Sequence, residues 1–224
     1  MTSPLHFPNA PITEAVLDLR VRLRDETVFE DLAQFADAVA DDYPEKRIRA
    51  HVQATIQFDQ ETKVVQTEKV GSKDGYLITS RDGRQIVQGR LDGFTFSRLK
   101  PYRDWPTMRD EARRLWTMYR EVVDPKSVTR IALRYINRVE IPLMGQSIDL
   151  KDYVLTAPEI APGISQTLAN FFMRLEVSDD KGRGTAILTE TVDAAADDPS
   201  TYPLIFDIDV FQTGSFQADG DDIW

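Results

Sequence analysis

"RIALRYINRVEIP", residues 130 to 142, alternates with a period of two along its whole length. One side carries Ile131, Leu133, Tyr135, Asn137, Val139 and Ile141, and the other Arg130, Ala132, Arg134, Ile136, Arg138 and Glu140. Successive side chains of a β-strand point to opposite sides, so the pattern predicts a strand with one face on a core and the other facing water or a site. Leu133, Tyr135 and Val139 are the expected core contacts. Two features need a reason: an amide in the middle of the apolar face, and arginines spaced along the opposite one.

Upstream, Ala15, Leu17, Leu19, Val21 and Leu23 alternate with Glu14, Val16, Asp18, Arg20 and Arg22, which predicts a second half-buried strand. "TVFEDLAQFADAVADDYP" (27–44) then changes to a helical period, with Thr27 and Glu30 spaced as a capping box and Pro44 just past the end. "HVQATIQFD" (51–59), "YLITS" (76–80), "RQIVQGRL" (84–91) and "FTFSRL" (94–99) read as four strands, with Asp82-Gly83 and Asp92-Gly93 as hairpin turns. A long helix follows, whose Trp105, Met108, Ala112, Leu115, Trp116, Tyr119, Val122 and Val123 form one stripe suited to a sheet. After residues 130–142 comes an irregular stretch with one short helical turn near Leu150, then strands at "NFFMRLEVS" (170–178), "GTAILTETV" (184–192) and "PLIFDIDVF" (203–211). The acidic "GSFQADGDDIW" (214–224) is expected to be unstructured, although its aromatic end is unusual.

Strands joined by short turns favour antiparallel pairing, because each parallel pair needs a crossover. The expected class is therefore α+β: a large antiparallel sheet with helices packed on one face, in one domain spanning 1–224. Element order suggests one β-α-β-β-β(-β)-α unit used twice, in halves 11–123 and 128–212, with the last helix missing.

Composition narrows the function classes. The 37 acidic and 27 basic residues give a net charge of −10, which opposes broad binding to nucleic acid or to an anionic membrane. With no cysteine, disulfides, thiolate nucleophiles and cysteine metal sites are excluded. The start lacks an export signal and no run approaches the ~18 apolar residues of a membrane span, so a bacterial cytoplasmic protein without a membrane partner is expected. His6 and His51 are the two histidines, and any serine or threonine triad would have to use one of them. No glycine-rich strand-to-helix loop is present, and no cofactor is called for.

"FPNAPITEAVLDLRV" (7–21) and "LRYINRVEIP" (133–142) resemble the landmarks of a sporadically distributed family of uncharacterised bacterial proteins: an N-terminal Pro-Ile-x-Glu-Ala-Val strand and a central Tyr-x-Asn-x-Ile/Val-x-x-Pro strand. The matching residues are Pro11, Ile12, Glu14, Ala15 and Val16, then Arg134, Tyr135, Asn137, Arg138 and Pro142. The resemblance implies a C-terminal helix, which is not expected before Trp224. It implies no reaction.

Three readings of function follow from the residues. The leading one is a non-enzymatic binding or interaction protein of unknown protein or small-molecule partner, with a homo-oligomer left open. The second is a metal-assisted phosphoryl hydrolase: Arg20, Arg22, Arg134, Arg138 and Arg174 on polar strand faces would clamp a phosphate, and Asp207 and Asp209 of "FDIDV" would hold a metal ion. Against it, "TEAVLDLRVRL" lacks the acidic alternation that opens such enzymes. If instead that face is open, the same arginines pair with Asp18, Glu140, Glu176, Glu190, Asp207 and Asp209 as ordinary surface ion pairs. The third reading makes Tyr135 and Asn137 ligand contacts in a pocket closed by helix residues, with a polar staple that satisfies a bulge, a bent strand or the irregular stretch 143–163 as the structural alternative for Asn137.

Overall fold

A computed structural model of the chain describes residues 7, 9–58, 65–143, 148–166, 168–193 and 200–224, and of 51–58 and 65–70 the backbone alone. His6 and the side chains of the strand at 51–58 therefore lie outside the described residues. The elements are β1 (Ile12–Arg22), a 3-10 turn (Phe29–Asp31) running into α1 (Leu32–Ala38), β2 (Glu45–Phe58), β3 (Val65–Thr79), β4 (Gln85–Arg90), β5 (Gly93–Leu99) and α2 (Trp105–Val123). They continue with β6 (Ser127–Pro142), a 3-10 turn (Leu150–Asp152), β7 (Phe172–Ser178), β8 (Thr185–Val192), β9 (Thr201–Phe216) and a last 3-10 turn (Asp221–Ile223).

The expected α+β class is what the structure shows: among the described residues, a nine-stranded antiparallel sheet, in the order β2-β3-β4-β5-β1-β6-β9-β8-β7, with two α-helices. This order repeats the doubled pattern of elements. In each half of the chain the first strand (β1, β6) is flanked by the last (β5, β9), and the remaining strands follow outward in descending order. No helix among the described residues is long and apolar enough to cross a membrane.

Two compact units can be distinguished, and they cut across the halves 11–123 and 128–212, because β1 and β6 each contribute to both. One, the helix unit, comprises Leu17–Arg98, Trp105–Ile131 and Gly214–Trp224; the other, the strand unit, comprises Met1–Val16, Leu99–Asp104 and Ala132–Thr213.

In the helix unit the apolar stripe of α2 folds as its spacing predicts. Met108, Ala112, Leu115, Trp116, Tyr119 and Val123 are buried, whereas Trp105 is half-buried. Against them lie Leu17, Leu19, Phe35, Ile78, Val87, Phe94 and Phe96, all at 0–1% exposure. Each fully buried side chain of this size contributes about 1.5–3 kcal/mol. Phe35, Phe94, Trp116 and Tyr119 form an aromatic cluster, and the Tyr119 hydroxyl donates to the Arg90 carbonyl at 2.6 Å. The first helix, α1, packs so closely on β4 that a Cβ on Gly89 would stand 2.6 Å from the Phe35 ring.

Three local expectations are corrected. The first helix is capped one residue later than the Thr27/Glu30 spacing suggests: Asp31 accepts from the Val28 N–H at 2.9 Å, and Phe29–Asp31 is a 3-10 turn. The second hairpin turns on Leu91 and Asp92, since Arg90 and Gly93 already pair. The acidic end is folded. The Trp116 indole donates to the Ala218 carbonyl at 2.9 Å, Arg113 reaches Asp221 at 2.6 Å, and Ile223 is buried. Acidic composition hides the reason, which is that Ile223 and Trp224 supply enough apolar surface to dock.

The strand unit is built differently, from strands and one 3-10 turn without an α-helix among its described residues. Leu133, Tyr135 and Val139, expected in a core, are only half-buried. Among its described residues, Ile141 and Leu204 are the large apolar side chains buried completely.

Candidate functional site

The charged strand faces resolve into compensated networks. In the helix unit the hub is Asp18. Its carboxylate accepts from Arg90 at 2.9 Å, the Thr95 hydroxyl at 2.7 Å, Arg20 at 3.1 Å and Arg130 at 3.3 Å. Arg90, only 4% exposed, also donates to Asp92 and Thr95, and Arg20 is paired with Asp92 as well. Burial alone would raise the Asp18 pKa, but Arg90, Thr95 and Arg20 together hold it below the ordinary carboxylate value. Arg22 is exposed.

In the strand unit Arg134 grips Asp207 with two donors, one at 2.8 Å, which is the strong bidentate form of the pair. Arg138 lies 3.0 Å from Glu140 and 3.5 Å from Asp193, and Arg174 lies 3.7 Å from Glu176. Asp207 is thus held by a cation, and no group of three or more His, Asp or Glu among the described residues is arranged to hold a metal ion. Asn137 donates to the Phe206 carbonyl of β9 at 2.9 Å and to the Tyr135 carbonyl at 3.3 Å, which makes it a staple between neighbouring strands. The Tyr135 hydroxyl lies 3.0 Å from that of Tyr102, their rings edge to face at 5.5 Å. Burial, and then Tyr135 itself, push the Tyr102 hydroxyl far above its ordinary pKa.

One polar hollow of about 520 Å³ lies in the helix unit, lined by Asp42, Tyr43, Arg81, Gln85, Glu111 and Arg114 among others. The Tyr43 hydroxyl is 2.7 Å from Glu111 and 2.9 Å from the Gln85 amide, while Arg114 bridges Glu111 and Asp42. Asp42, Tyr43, Glu111 and Arg114 thus form one bonded network across it.

Among the described residues, the feature with no internal match is the apolar face of β6 to β9. Directly opposite residues share a side of a sheet, and the register pairs Leu175 with Leu188 and Val177 with Ala186, then Leu188 with Ile208 and Ala186 with Val210. Asp207, ion-paired with Arg134, points the other way, so Leu133 and Tyr135 join Phe206 and Ile208 on the apolar side. Leu175, Val177 and Val210 are 36%, 51% and 48% exposed, where Ile78, Val87 and Phe94 of the helix unit are at 0%. Within this face sits Glu190, opposite Met173 and Phe206, itself only 2% exposed. Among the described residues its Oε2 has no hydrogen-bond partner, and burial raises its pKa. The expectation that Glu190 belongs to a polar face is therefore corrected. The signal was in "AILTETV", where alternation puts Glu190 in register with Ala186 and Leu188, much as it puts Asn137 with Tyr135. Arg90 and Thr95 were missed because their role depends on which strands become neighbours. The chain matches no protein-family model, and no curated protein matches it.

Proposed function

We propose that this is a non-enzymatic interaction protein whose docking surface is the apolar face of β6 to β9. One observation carries the reading: Leu175 and Val177 of β7 and Val210 of β9, at 36–51% exposure, lie on one side of an ordered sheet with Ala186 between Val177 and Val210. Contiguous exposed apolar surface of this kind marks a place where another molecule binds. The charged faces support the reading from the other side, since Arg20, Arg134, Arg138 and Arg174 each have an acidic neighbour within 3.7 Å or less. The alternative, a metal-assisted phosphoryl hydrolase, would require Arg134 to leave Asp207 for a phosphate. The test compares wild type with Val210→Lys, both checked for folding by circular dichroism. Wild type should enhance the fluorescence of an apolar dye and retain a partner from host extract, and the variant should do neither. Hydrolysis of tripolyphosphate with magnesium, abolished by Arg134→Ala, would overturn the proposal.

A further inference from the structure

A second surface lies at the end of the sheet, and it uses the edge of a strand, so it stands independently of the docking face. β7 is the terminal strand, and among the described residues no strand pairs with its outer side. An edge strand presents a row of free N–H and C=O groups and pairs readily with another strand unless charge or irregularity prevents it. At the other end of the sheet β2 opens Glu-Lys-Arg-Ile-Arg (45–49), whose three cations deter pairing. β7 has no such guard. Its sequence is Phe-Met-Arg-Leu-Glu-Val-Ser, and five of its last five residues, Arg174 to Ser178, are exposed.

We infer that two copies of this chain pair β7 to β7, antiparallel, about a two-fold axis midway between their Leu175 residues. In that register Arg174 of each copy faces Glu176 of the other, Met173 faces Val177, and Leu175 faces Leu175. The pairing is self-complementary, as a two-fold interface must be. A slip of two residues sets Arg174 opposite Arg174, or Glu176 opposite Glu176, and like charges directly opposite are unfavourable. A slip of one residue sets apolar side chains against charged ones on both faces. Only one register satisfies both patterns. Within a single copy Arg174 and Glu176 are 3.7 Å apart and about half exposed, so they are free to exchange this loose contact for the cross-strand one. The net charge of −10 opposes association, but salt screens it beyond roughly 10 Å while the facing pairs lie well inside that range. Pairing also joins the two apolar faces along Met173, Leu175 and Val177.

Sedimentation velocity over a concentration series reads the outcome. Wild type should show a reversible monomer–dimer equilibrium. Arg174→Glu and Glu176→Arg, both on exposed positions, should each weaken it at least about tenfold, because every dimer then holds two like-charge oppositions. A one-to-one mixture of the two variants should recover a dimer, since a strand with two acids then faces a strand with two arginines. Wild type that stays monomeric up to about 1 mM overturns the inference. So does a dimer that the single variants leave intact, or a mixture that fails to form the heterodimer. A monomeric result leaves the dye and capture test of the docking face unaffected.

Discussion

Replacing Glu190 with leucine should stabilise the protein, and increasingly so as pH rises. The side chain is 2% exposed, its neighbours across the ladders are Met173 and Phe206, and its Oε2 is unpartnered among the described residues. Leaving a buried polar group unsatisfied costs about 1–3 kcal/mol, and more when the group is charged. Leucine fills a similar space without that cost. The pH dependence follows from the direction of the shift. Burial raises the folded-state pKa of Glu190 above its unfolded value. Between the two values the native state keeps a proton that the unfolded state has released, so stability from this group is complete below the unfolded pKa and is lost as pH rises through the folded one. Urea denaturation of wild type and Glu190→Leu at about pH 5 and about pH 8 isolates the effect, because all other titrations cancel in the difference. The variant should be more stable by about 1–3 kcal/mol at the higher pH and by less at the lower. A variant less stable than wild type at about pH 8, or a gap independent of pH, refutes the assignment of Glu190 as an uncompensated buried acid.

Gly89→Ala should destabilise by about 1–3 kcal/mol, because the added methyl meets the Phe35 ring at 2.6 Å; an unchanged urea midpoint would contradict the close packing of α1 on β4. Arg90→Ala should cost about 3–5 kcal/mol by leaving Asp18 and Asp92 without their buried cation. Because the Asp18 pKa is lowered, the stability it contributes is present above the unfolded carboxyl value and lost as pH falls through the folded one, so the Arg90→Ala penalty should shrink in acid. Asn137→Leu should cost about 1–3 kcal/mol through the Phe206 carbonyl it leaves unpaired, and a loss under about 0.5 kcal/mol would show that water replaces the staple freely.

Most strands and the long helix were legible because their signals are local. A period of two in 12–22 and 130–142, and a 3.6-residue stripe from Met108 to Val123, need no knowledge of what lies nearby. What was not legible depends on register and on cover. Arg90 reads as one more surface arginine until β4, β5 and β1 become neighbours and bring it to Asp18. Likewise Arg134 pairs with Asp207 only once β9 lies beside β6.

Cover is the subtler case. Alternation states that a strand has two chemically different faces, but it does not state that the apolar face is buried. Burial requires an element on top, and the two halves of the chain differ in how many such elements they hold. The first has α1 and α2 for its strands; among its described residues the second has a three-residue 3-10 turn at Leu150–Asp152. The same apolar pattern therefore gives 0% exposure at Leu19 and Phe94 and 48–51% at Val210 and Val177. Hydrophobic stabilisation scales with area removed from water, so those side chains hold back stabilisation that a bound molecule can release. Glu190 and Asn137 mark the same face in two ways. Asn137 is satisfied by the Phe206 carbonyl and holds β6 to β9, whereas Glu190 is not satisfied within the described residues, which makes it the more informative position to change.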